Sequence, residues 1–210
     1  MGVSKYYQQR LPNSFYGNID VCAVATALLG KIIVTNFNQQ LTAARIVETE
    51  AYNGIIDKAS HAFGGRRTAR TEVMYAAGGV AYVYLCYGVH HLFNVVTNSI
   101  AIPHAVLIRA AEPIIGVAIM LQRTGKSIAD FSLTRGPGNL SRALGIHTNL
   151  SGMPLDSKAL FIADDGYQLQ QHDYIATPRI GVGYAGTDAF LPYRFIIKGN
   201  GYVSGKKNYP

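Results

Sequence analysis

Between Arg45 and Tyr52 the chain reads Arg-Ile-Val-Glu-Thr-Glu-Ala-Tyr, an alternation that predicts a β-strand. Side chains two apart on a strand share a face. Ile46, Glu48, Glu50 and Tyr52 are therefore expected on one side, and Val47, Thr49 and Ala51 on the other. Two carboxylates turned toward a core are costly unless they are paired or put to use, so Glu50 is the first candidate for chemistry. The bland alternative is a solvated acidic face with Tyr52 beside it.

The neighbouring patterns place this strand in a larger plan. Asp20 is a good N-cap for a helix over residues 21–29 that Gly30 ends. Residues 31–35 and 41–52 read as a hairpin around a turn over 36–40. A short helix over 71–77, closed by Gly78 and Gly79, leads into residues 80–87, the strongest strand signal in the chain. Residues 88–91 turn it round into a strand over 92–97, with Tyr87 at the tip of this second hairpin. A strand over 105–112 follows, and Pro113 is expected to start a helix through Met120 toward Arg123. Residues 124–134 read as a surface loop, and Asn139 is expected to cap a helix through Leu144. Short strands over 159–163 and 193–198 complete the pattern. With no repeat or linker, residues 1–210 are expected to form one α+β (mixed α/β) domain with a curved, largely antiparallel sheet, flanking helices and a protruding β-hairpin.

Composition narrows the partners. The chain has 210 residues, 49% of them hydrophobic, enough for one domain with a substantial core. Lys and Arg number 19 against 12 Asp and Glu; the net charge of +7 favours phosphate-bearing partners, nucleic acid before a membrane surface. No apolar run reaches membrane-spanning length and the N-terminal residues lack a secretory pattern. The protein is accordingly expected to be cytoplasmic (nucleoid-associated) or nuclear, not secreted. Cys22 and Cys86 form no Cys-x-x-Cys pair and read as ordinary buried thiols. His90 and His91 are adjacent, so on a strand they point to opposite faces, and no metal site is expected.

Several motifs occur in a fixed order: Glu48-Thr-Glu50-Ala-Tyr52, Ala59-Ser-His61 with Gly64-Gly-Arg66-Arg-Thr68, Tyr82-Val-Tyr84-Leu-Cys-Tyr87-Gly88, Asn94-Val-Val, Val106-Leu-Ile-Arg109-Ala-Ala-Glu-Pro113 and Pro178-Arg-Ile-Gly-Val-Gly-Tyr-Ala-Gly186. As an ordered set covering most of the chain, they resemble the alkyladenine, or 3-methyladenine, DNA glycosylase family. The resemblance implies a monofunctional hydrolase that flips alkylated or deaminated purines (3-methyladenine, 7-methylguanine, hypoxanthine) out of duplex DNA. It would cut the N-glycosidic bond and leave an abasic site. Such cleavage builds oxocarbenium charge on the sugar, which suits a single carboxylate that both takes a proton from water and stabilises that charge.

Carried over position by position, the resemblance makes Glu50 the water-activating acid and Arg109 the arginine that helps to hold the water. Tyr52, His61 and Tyr84 would enclose the flipped base, and Asn94 would crowd the 2-amino group of guanine. Tyr87 would wedge into the minor groove. Val89 and His90 stand beside it where a bulkier Met and an aromatic are often found. Arg66, Thr68 and Arg70, with Arg67, would contact phosphates; Arg142, Arg179, Lys206 and Lys207 are weaker candidates. No lysine in the matched motifs stands where a Schiff base would form. No cofactor is expected, and the partner is double-stranded DNA containing damaged purines, bound by a monomer without a membrane.

Three other readings compete. Gly181-Val-Gly183-Tyr-Ala-Gly186 satisfies a dinucleotide-binding spacing but lies near the C-terminus, without the strand, helix and downstream acid that the motif needs. Glu48 and Glu50 could serve an O-glycoside hydrolase, yet neighbours on one strand do not flank a sugar from two sides. A non-catalytic nucleic-acid-binding module would keep the fold and dispense with Glu50.

Overall fold

Residues 4–205 are described by the structure, a computed structural model; Lys206 and Lys207 lie outside the described residues. In chain order the elements are α1 (Ser4–Gln8), α2 (Val21–Leu28), β1 (Ile32–Phe37), β2 (Gln40–Tyr52), β3 (Ala81–Cys86), β4 (His90–Thr97), β5 (His104–Ile115), α3 (Val117–Thr124), α4 (Pro137–Leu144), β6 (Leu160–Ala163), β7 (Tyr174–Thr177) and β8 (Arg194–Ile197). The strands form one open antiparallel sheet in the order β3-β4-β5-β2-β1-β6, and β8 joins β2 to β7. This is the single-domain mixed α/β architecture expected from the alternation of short strands and helices.

The three longer helices cover one face of the sheet. Val24, Ala25 and Leu28 of α2, Met120 of α3, and Leu140, Ala143 and Leu144 of α4 pack against Ala44, Ile46 and Ala51 of β2, Val83 of β3, Phe93 and Val95 of β4, and Val106 and Ile108 of β5. Asp20 caps α2 by accepting from the Cys22 and Ala23 amides at 2.8 and 3.2 Å, a contribution of about 1 kcal/mol. Because strand side chains alternate, burying these residues under the helices turns Tyr82, Tyr84, Leu92, Asn94, Leu107, Glu50 and Tyr52 to the opposite face.

Four local expectations need correction. The β1–β2 turn is tighter than residues 36–40, because Asn38 and Gln39 adopt left-handed φ values of 51° and 62° and let both strands run to the turn. His90 and His91 belong to β4 rather than to the turn, since Tyr87 and Gly88 supply the two left-handed residues (φ 50° and 72°) that reverse the chain. Pro113 continues β5 instead of starting a helix. β4 pairs with β5 only over His104–Leu107, so the edge beyond lacks a β4 partner and proline's missing N–H costs no β4 ladder bond there. The helix starts after Gly116, where an added Cβ would meet the Leu41 carbonyl oxygen at 2.3 Å. Finally, α4 starts at Pro137, whose fixed φ suits the first helical position, and Asn139 sits inside the helix, donating to the Arg135 carbonyl at 3.0 Å.

Candidate active site

The pairing of β2 with β5 explains how acids come to face a site. Ile46 opposes Ala111, Glu48 opposes Ala110 and Thr49 opposes Ile108, which leaves Val47 unpaired on one strand and Arg109 unpaired on the other. Two opposed β-bulges thus cancel in register while re-aiming the side chains between them. As a result Ile46 packs under the helices and Val47 joins Ala110 and Ile196 on the other face. The simple alternation expected for residues 46–52 therefore fails at Ile46 and Val47, and holds from Glu48 onward. Thr49, facing the helices, donates to the Ala25 carbonyl at 2.9 Å.

Glu50 is fully buried, and its carboxylate accepts from the Tyr52 hydroxyl at 2.9 Å, the Arg109 Nη1 at 3.3 Å and the Ile180 amide at 2.8 Å. An ionised carboxylate has about four acceptor positions, so one stays open. Its three donors line a cleft of about 510 Å³, and Glu50 lies directly behind that wall. Burial, and then the adjacent Glu50 charge, push the Tyr52 hydroxyl well above its ordinary range, which keeps it a donor. Burial works against the charge of Arg109, but Glu50 and Glu48 outweigh it and hold the guanidinium firmly protonated.

Glu48 has a different role. It accepts from Arg109 Nε at 3.1 Å, Arg194 Nε at 2.6 Å, and the Ser204 amide and hydroxyl at 2.7 and 3.0 Å. With its acceptor positions filled, it binds β2, β5, β8 and the segment around Ser204 together. A pair of catalytic acids made of Glu48 and Glu50 is therefore not what the strand carries.

Tyr52, His61, Tyr84 and Tyr184 line both the cleft and an inner recess of about 30 Å³ that reaches Asn94. The His61 and Tyr84 rings meet edge-on at 4.6 Å, and His61 Nδ1 lies 2.8 Å from the Tyr82 hydroxyl. Burial first, and then Arg70 and Arg66, lower the His61 pKa to about 4, so the ring is neutral at neutral pH. Asn94 donates to the Tyr82 and Leu92 carbonyls at 3.1 and 3.2 Å, which fixes its amide at the back of the recess.

The remaining predicted residues divide. Tyr87, 90% exposed at the hairpin tip, lines the mouth of the cleft, and Val89 is exposed beside it. Arg70 lies in the cleft wall instead of standing off with Arg66: its Cζ is 4.8 Å from the Tyr84 ring centroid and its Nη2 3.4 Å from His61 Nε2. Arg66 and Thr68 are exposed outside the cleft lining, the Thr68 hydroxyl lying 3.2 Å from that of Thr71 in the turn. Cys22 and Cys86 are half-buried free thiols, not fully buried ones.

Sequence reasoning gave the supports no structural part: Arg179, a weaker candidate for a phosphate contact, is instead buried, and Tyr184 was noted only within a motif. Arg179 forms a buried ion pair with Asp57 (Nη2 to Oδ1 2.9 Å) and lies 4.8 Å from the Tyr52 ring centroid, so the residue before Ile180 braces both Tyr52 and the amide that holds Glu50. Tyr184 donates to the Ala59 carbonyl at 3.1 Å. The only signal for either was the Pro178–Gly186 motif. That segment also disposes of the dinucleotide reading, because it is a loop and a kinked 3-10 stretch over Gly183–Phe190, with no phosphate-binding helix after it. Among the described residues no group of three His, Cys, Asp or Glu lies together in a metal-holding arrangement, and no helix is long and apolar enough to cross a membrane.

Comparison with known proteins identifies the family. The methylpurine-DNA glycosylase family model matches residues 14–201. A protein of Desulfitobacterium hafniense (strain Y51), named "Putative 3-methyladenine DNA glycosylase", is 44% identical over 205 residues, covering 94% of this chain and all of the relative. Proteins of the same name from Bacillus cereus (strain G9842) and Bacillus anthracis (strain A0248) are 45% identical over 203 residues, covering 93% of this chain and 98% of each relative.

Proposed function

This chain belongs to the methylpurine-DNA glycosylase family and is a hydrolase of N-glycosyl bonds acting on DNA; from that premise we propose that it flips alkylated or deaminated purines out of duplex DNA and hydrolyses them with a water activated by Glu50. The observation that carries the reading is the carboxylate of Glu50, buried behind the cleft with three donors on it and one acceptor position left. A water in that position faces a base that is held against Tyr84 and His61. As the C1′–N9 bond breaks, the sugar gains positive charge, which the carboxylate stabilises while it takes the water's proton. Arg109 keeps the acid in place.

Tyr52, His61 and Tyr84 supply the aromatic walls, and Asn94 limits the depth to which a 2-amino group can enter. Tyr87, projecting at the mouth with Val89 beside it, fills the gap in the duplex. Arg66 and Thr68 lie on the exposed loop beyond, where they contact phosphates. One domain over residues 1–210, acting as a monomer without a cofactor, suffices for this reaction. With no lysine in the matched motifs to form a Schiff base, the strand is left uncut at the abasic site.

The test is incubation with duplexes carrying one hypoxanthine and with methylated DNA, followed by alkali. Strand breaks only after alkali, and only with Glu50 intact, support the reading. A Glu50→Gln protein that excises as well as its parent, or a trapped borohydride adduct, would overturn it.

A further inference from the structure

Several of the charges around the cleft are paired. Glu50 and Glu48 meet Arg109, with Arg194 on Glu48, and Asp57 meets Arg179 beneath Tyr52. Arg70 and Arg135 also line the cleft, and among the described residues no carboxylate forms an ion pair with either; Arg135 donates to the Gly201 carbonyl, whereas the Arg70 guanidinium lies over Tyr84 and reaches His61. His61 adds no charge, being neutral above about pH 4. An arginine N–H can only donate, so His61 Nε2 accepts and its proton sits on Nδ1, toward the Tyr82 hydroxyl. The base end of the cleft is therefore a neutral aromatic cage with the exposed Arg70 guanidinium at its outer edge.

Resting on the reading of this cleft as the base pocket, we propose that Arg70 is a specificity-determining residue that favours excision of neutral, deaminated purines over purines already made cationic by methylation. The reason lies in where the electron pair goes. When C1′–N9 breaks, the pair leaves with the base, the water oxygen bonds to C1′ and its proton passes to Glu50. A neutral purine such as hypoxanthine departs as an anion, later protonated by solvent, and a nearby guanidinium stabilises that developing charge. A purine methylated at a ring nitrogen is cationic before cleavage and departs neutral. Arg70 then repels the substrate as it binds, and the relief of that repulsion as the bond breaks only returns what binding lost. Measured from free duplex to transition state, Arg70 thus helps the neutral lesion and not the cationic one. A phosphate contact would not discriminate, because the phosphate is the same in both.

Single-turnover excision, read as the rate constant divided by the half-saturating protein concentration, separates the two roles, with duplexes carrying one hypoxanthine or one 7-methylguanine and the variants Arg70→Gln and Arg70→Lys. Arg70→Gln should slow hypoxanthine release by about tenfold or more and change 7-methylguanine release by less than about threefold. Arg70→Lys, which keeps the charge, should recover most of the hypoxanthine rate. Equal losses on both lesions, or a loss confined to affinity, would reduce Arg70 to a DNA contact. Hypoxanthine left intact by the unmodified protein while 7-methylguanine is released overturns the assignment and spares the function. Failure on both substrates removes the reading of the cleft itself.

Discussion

Glu48 and Glu50, two residues apart on one face of β2, are held by the same guanidinium: Arg109 donates from Nε to Glu48 at 3.1 Å and from Nη1 to Glu50 at 3.3 Å. The two acids nevertheless differ in what is left to them. Glu48 is closed by Arg194 and Ser204, whereas Glu50 shares its remaining donors with the cleft wall.

Removing each acid should therefore have a distinct effect. Glu48→Ala leaves two buried arginines without their common partner and should cost about 3–5 kcal/mol in a urea titration. Glu50→Gln should cost far less in stability while lowering single-turnover excision by at least about 100-fold. A Glu48→Ala protein as stable as its parent would show that the network contributes nothing to folding.

Tyr87 combines 90% exposure with a left-handed φ of 50°, a conformation glycine adopts without strain. Tyr87→Gly should leave the urea midpoint unchanged or raise it, while affinity for lesion-bearing duplex falls more than affinity for undamaged duplex. Equal losses would remove the wedge role.

Arg66 is exposed and sits on the loop outside the cleft. Arg66→Ala should weaken binding to damaged and undamaged duplex alike and reduce the slope of log affinity against log salt by about 1. An unchanged salt slope would place Arg66 away from the phosphates.

His61 makes stability depend on pH. Its folded pKa of about 4 lies below the ordinary 6.5, held down by burial first and then by Arg70 and Arg66. The unfolded chain binds the proton at higher pH, so stability present above about pH 6.5 is lost as pH falls toward 4, by up to about 3 kcal/mol. Urea midpoints for the parent and His61→Asn should diverge in slope across that window. Parallel profiles would mean that His61 is free to protonate in the folded state.

Arg179 braces the site from below. Arg179→Met should strand the buried Asp57 carboxylate, cost about 3–5 kcal/mol and lower excision through the displaced Tyr52 and Ile180. Asp57→Asn made together with it should recover part of the stability; no recovery would argue that the pair is not the cause.

Alternation within 80–97, and from Glu48 to Tyr52, is a property of the chain alone, and it determined that Tyr82, Tyr84, Asn94, Glu50 and Tyr52 would leave the helix-covered face together. Capping by Asp20 and the stop near Gly30 were legible for the same reason, since both are settled within one turn of backbone. The family motifs added the ordered candidates Glu50, Arg109 and His61. Only the tertiary structure decided that Glu48 is spent on structure, that opposed bulges at Val47 and Arg109 aim the acids, that Pro113 continues a strand, and that Arg70 lies against Tyr84 and His61 in the cleft wall. Those outcomes depend on strands and loops tens of residues apart in sequence meeting in one register, and a local pattern contains no information about the partner it will meet.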